Sequence, residues 1–102
     1  MIVYASIGNS DNKLTQAQWA NFCEEFRRVM VTPPITLHGV WFSLPNVPWQ
    51  NMCIGIEVES NRVANLKEAL KSLAYLFNQD SIAWLSGAGE LLTPPICMRP
   101  VY

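Results

Sequence analysis

Apolar and polar residues alternate from the start of the chain. Between Ile2 and Gly8, Val3, Ala5 and Ile7 interleave with Tyr4 and Ser6, the period of two that gives a strand two different faces. Gly8-Asn9-Ser10-Asp11-Asn12 is turn chemistry and ends it. The period then changes. Trp19, Phe22, Cys23, Phe26, Val29 and Met30 recur at helical spacing and predict an amphipathic helix over Leu14–Met30. Thr15 and Gln18 form a capping box at its open end, with Leu14 and Trp19 at the spacing of a hydrophobic staple. Thr32-Pro33-Pro34 stops the helix, since proline cannot continue it and biases its predecessor towards extended backbone.

Period two returns over Ile35–Leu44 and over Trp49–Val58, joined by Pro45-Asn46-Val47-Pro48. In the first stretch Val40, Phe42 and Leu44 form one set, with His38 on their register; Leu37, Gly39, Trp41 and Ser43 form the other. In the second, Met52, Ile54, Ile56 and Val58 face one way, and Asn51, Cys53, Gly55 and Glu57 the other. A second helix over Ser60–Phe77, capped by Ser60 or Asn61, buries Val63, Leu66, Leu70, Leu73 and Phe77. Ser81–Leu85 is a short fourth strand, in which either Ile82 and Trp84 or Ala83 and Leu85 face inward. Gly87-Ala88-Gly89 is a turn, and Glu90–Leu92 is able to pair again. Thr93–Tyr102, with three prolines, is an extended C-terminal tail, so a domain over residues 1–92 is followed by a tail over 93–102.

The order strand, helix, strand, strand, helix, strand resembles the ferredoxin-like, split βαβ architecture. That resemblance implies an α+β, two-layer sandwich: a four-stranded antiparallel sheet, its first and third strands central, with two helices on one face. The other face is open. Mapping the alternation onto that layout puts Tyr4, Ser6, Trp41, Ser43, Asn51, Cys53, Glu57 and one of Ile82 or Trp84 on the open face. Val3, Ala5, Ile7, Val40, Phe42, Leu44, Met52, Ile54, Ile56 and Val58 lie beneath the helices.

Composition narrows the function. At 102 residues the chain is one domain, and with 50% hydrophobic and 15% charged residues it is greasy and lightly charged. A surface with so few charges leaves apolar area for a partner, and a second copy of the chain fits that need. The net charge of −1, with scattered basic residues, supplies no basic field for nonspecific nucleic-acid binding. Cys23, Cys53 and Cys97 are odd in number and irregularly spaced, which argues for free thiols in a reducing, cytoplasmic setting rather than a disulfide framework. One histidine and no CxxC pair give no metal site, and no cofactor motif is present. No stretch approaches a membrane span or a signal peptide.

The candidate chemistry collects around His38–Val58. Tyr4, Trp41 and Trp49 are able to form a stacking platform or an interface anchor, with Ser43, Asn51 and Glu57 as polar neighbours. His38 and Asp80 are, with Glu57, the acid–base candidates, but the alternation sets them on different faces, which argues against an enzyme. Cys53 is a nucleophile only with a base beside it, and Gly8-Asn9-Ser10 offers amides to an anion without an adjacent cation. These readings favour a small cytosolic binding module that works through an aromatic open face as a homodimer. Its partner is a protein or a small ligand, and inhibition of a host protein in the manner of a phage or mobile element is one such role. The alternatives are a small dimeric α+β enzyme using His38 and Glu57, and a single-stranded nucleic-acid binder using Trp41 and Tyr4.

Overall fold

The computed structural model describes residues 1–44 and 47–87. Its elements are β1 (Ile2–Gly8), α1 (Gln16–Met30), β2 (Thr36–Phe42), β3 (Asn51–Glu57), a 3-10 turn (Ser60–Arg62), α2 (Val63–Leu76) and β4 (Ala83–Ser86). The strands pair antiparallel in the order β2-β3-β1-β4, which is the ferredoxin-like arrangement with β1 and β3 central. The loop residues Pro45 and Asn46, the turn beyond Gly87, the further pairing at Glu90–Leu92, Cys97 and the tail over 93–102 lie outside the described residues.

One layer of apolar side chains joins sheet to helices. Val3, Ala5 and Ile7 of β1 and Met52, Ile54 and Ile56 of β3 are buried against Phe22, Phe26 and Met30 of α1 and Leu66, Leu70 and Leu73 of α2. The Phe22 and Phe77 rings stack at 4.7 Å between centroids and tie α1 to the end of α2. Each of these side chains larger than alanine contributes on the order of 1.5–3 kcal/mol by leaving water. The capping box forms: Gln18 N–H donates to Thr15 Oγ1 at 3.2 Å, and Thr15 N–H donates to Gln18 Oε1 at 2.8 Å. Leu14 and Trp19 are both buried across that cap.

Four expectations need correction. β2 contains a bulge: Leu37 pairs with Ile56 and Gly39 with Gly55, leaving His38 as the extra residue. Leu37 therefore shares the helix side with Ile56, and His38 leaves the Val40 register. Phe42 and Leu44 are not beneath the helices; they are 61% and 73% exposed. β2 is an outer strand, and of its helix-side residues only Val40 packs on the core. The second helix begins as a 3-10 turn, and neither Ser60 nor Asn61 caps α2, whose N-cap is Arg62 without a side-chain bond. On β4, Trp84 pairs with Ala5 and packs inward with Ile82, so Ala83 and Leu85 take the open face in place of Ile82 or Trp84.

Candidate functional site

The face away from the helices is built in rows that cross the strands. One row runs Gly39, Gly55, Tyr4, Leu85; the next runs Trp41, Cys53, Ser6, Ala83. Two glycines in one row leave a trough in the sheet, and the aromatic rings fill it. A Cβ on Gly39 would sit 2.8 Å from Cη2 and Cζ2 of Trp41. A Cβ on Gly55 would sit 2.7 Å from Tyr4 Cε1 and 3.1 Å from Trp41 Cζ3. The indole therefore lies along the sheet across both glycines, and the phenol ring leans over Gly55 from the other side. Their centroids are 6.0 Å apart at an interplanar angle of 42°. The rings are packed against their own backbone and still 39% (Tyr4) and 50% (Trp41) exposed. Ile2 and Leu85 extend the apolar surface, both exposed. No lysine or arginine stands among the described residues of this face.

Polar groups frame the rings. At one end Asn51 N–H donates to Ser43 Oγ at 3.2 Å and Ser43 N–H to the Asn51 carbonyl at 3.0 Å, holding the mouth of the β2–β3 loop. Trp49, expected in the third strand, is an exposed loop residue before β3. At the other end the bulge swings His38 towards Glu57, with 3.6 Å between Nε2 and Oε1. The two candidates come together, but at an exposed strand end and just beyond hydrogen-bond reach. Asp80 is not with them. It follows α2 at the opposite edge of the sheet, fully in solvent, with Lys13 Nζ 3.2 Å away.

Two other candidates resolve into structure. The Asn9 side chain accepts from Leu14 N–H at 3.0 Å and donates to the Leu14 carbonyl at 3.1 Å and to Gln50 Oε1 at 3.1 Å. The Gly8-Asn9-Ser10 loop is thus a clasp between β1, α1 and the start of β3. Cys23 packs on the core, and burial pushes its thiol up to about 11 from 9.0. Cys53 lies half-buried between Trp41 and Ser6 on the open face. No three His, Cys, Asp or Glu side chains among the described residues come together as a metal site, and no helix there is long and apolar enough to cross a membrane.

Gly39 and Gly55 are the members of this site that alternation alone passes over. A glycine inside a strand marks a close approach of something to the backbone, and two such glycines, one of them two residues before Trp41, were the available signal.

No protein-family model and no curated protein sequence matches the chain. The fold does have counterparts among solved structures. It is similar to the solution structure of the C-terminal domain of the MgtC protein from Mycobacterium tuberculosis, with a TM-score of 0.58 over 84% of this chain and 86% of that one. The two sequences are 11% identical, so the likeness is one of fold.

Proposed function

We propose that this chain is a binding module whose working surface is the open sheet face, and that it pairs with a second copy through that face. The observation that carries the reading is the Trp41–Tyr4 pair laid over Gly39 and Gly55 and left half exposed. Rings already fixed against a sheet lose little freedom on binding, and tryptophan and tyrosine in that state are typical interface anchors. Ile2 and Leu85 supply the apolar surround, while Ser43, Asn51, His38 and Glu57 give a polar rim, the usual anatomy of a protein–protein contact. A host protein blocked by this chain would meet the same surface, in competition with the second copy. The free thiols of Cys23 and Cys53 suit a reducing cytoplasm.

A nucleic-acid strand is the weaker occupant, because stacking platforms work beside a basic groove and the described residues of this face include no lysine or arginine. Acid–base catalysis by His38 and Glu57 is weaker still: both side chains are open to water, where a substrate gains little from their charge. Sedimentation velocity on the whole chain at micromolar concentration tests the pairing. The expected species has twice the 11.5 kDa chain mass; a single species at the chain mass removes the homodimer.

A further inference from the structure

A groove of about 500 Å³ lies on the helix side of the sheet, between α2 and the outer strand β4. It is separate from the aromatic open face, since Ile82 and Trp84 turn towards the helices. Leu70 and Ala74 of α2 give it one apolar wall, and Ile82 and Trp84 the other. Lys67, Leu70 and Ala74 fall at the spacing of one helix face, so the groove follows α2 for about two turns, roughly 10 Å. Its volume is within the roughly 300–1,000 Å³ of small-molecule sites, which combine a mostly apolar lining with a few polar groups. The elongated shape suits a chain better than a disc.

Charge is divided between the two ends. Lys67 stands at the end nearer the start of α2, with Nζ 5.1 Å from the centre of the Trp84 ring. It pairs with no carboxylate among the described residues. Lys71, also on the rim, is already engaged by Glu68 at 3.1 Å. Asp80 marks the other end, beyond the last turn of α2. It is in open solvent and paired with Lys13 at 3.2 Å, so it offers little to a cation and repels an anion. The Trp84 indole N–H donates to Ser86 Oγ at 2.9 Å, which leaves the ring as apolar surface.

We propose that this groove binds an amphiphilic monocarboxylate of the fatty-acid class. The chain lies along Leu70, Ala74 and Ile82 against Trp84, and the carboxylate sits on Lys67 Nζ. There the ammonium exchanges its place over the ring for a charge-assisted hydrogen bond. The site uses no residue of the open face and does not depend on the proposed pairing.

Decanoate below its micellar concentration is the probe, titrated into the full-length isotope-labelled chain and followed by nuclear magnetic resonance, with decylamine as the matched cation. The expected result is saturable shifts at the Trp84 indole N–H and the Ala74 and Ile82 methyls, with decylamine weaker by about tenfold or more. Lys67→Gln should weaken decanoate by a similar factor, and Lys67→Arg should keep it, both with unchanged circular dichroism. Absence of saturable shifts at these groups would overturn the proposal. So would equal affinity for decylamine, decanoate binding indifferent to Lys67→Gln, or shifts confined to Tyr4 and Trp41.

Discussion

Gly55 shows how one missing Cβ shapes the surface. Placing a methyl there drives it into the Tyr4 ring at 2.7 Å. Because that ring is half exposed, it turns away rather than straining the strand. Gly55→Ala should therefore cost stability at the low end of the roughly 1–3 kcal/mol typical of overpacking, while near-ultraviolet circular dichroism registers displaced Tyr4 and Trp41 rings. Unchanged ring signals would mean that the glycine floor does not hold them. Asn9 behaves oppositely, since its hydrogen bonds to Leu14 are buried. Asn9→Ala strands the Leu14 amide and should cost about 1–3 kcal/mol in a denaturant titration; a neutral result would show the clasp to be dispensable. Cys23 supplies a pH dependence. Its folded-state value is raised, so below 9.0 the thiol holds its proton in folded and unfolded chains alike and its contribution is constant. Between 9.0 and about 11 the unfolded chain ionises first, and stability falls as pH rises. The stability difference between wild type and Cys23→Ala should shrink across that window and be flat below it. Alternation placed Tyr4 and Trp41 on the open face correctly, but gave no hint of Asn9, whose role depends on reaching Leu14 and Gln50 at once.

At the scale of elements, the most legible pieces are those with a strong period and a chemical stop. β1, α1 and β3 are of this kind, and the Thr15–Gln18 box lies where the residues imply. Thr15→Ala should lower stability by about 1 kcal/mol, with the loss of helix signal confined to the first turn of α1; no change would mean that packing of Leu14 and Trp19 alone fixes the helix start. β2 was harder to read because a single extra residue at His38 inverts the face assignment of everything on one side of it. That is why Leu37 moved to the helix side and His38 met Glu57. Helix coverage is equally invisible in a pattern: Phe42 and Leu44 carry the right period but lie at and beyond the end of the outer strand β2, where the helices leave them exposed. β4 was ambiguous because both of its faces pair a large apolar residue with a neighbour that suits either side. Its pairing with β1 and the packing of Ile82 and Trp84 resolve it.

For the whole molecule, the helices cover the central strands on one side of the sheet, and the aromatic rings on the other side are held by their own strands. Trp41 and Phe42 make that claim separable. They are neighbours on β2, both at least half exposed, and they point to opposite sides of the sheet. The most direct measurement is the solution mass of Trp41→Glu and Phe42→Glu beside the wild type, with circular dichroism confirming that each variant is folded. A buried glutamate without a partner disrupts an interface, whereas the same charge in open solvent does little. On the proposed pairing, the wild type and Phe42→Glu should be dimeric and Trp41→Glu monomeric; a monomeric wild type, a dimer that survives Trp41→Glu, or one broken only by Phe42→Glu, would contradict the account.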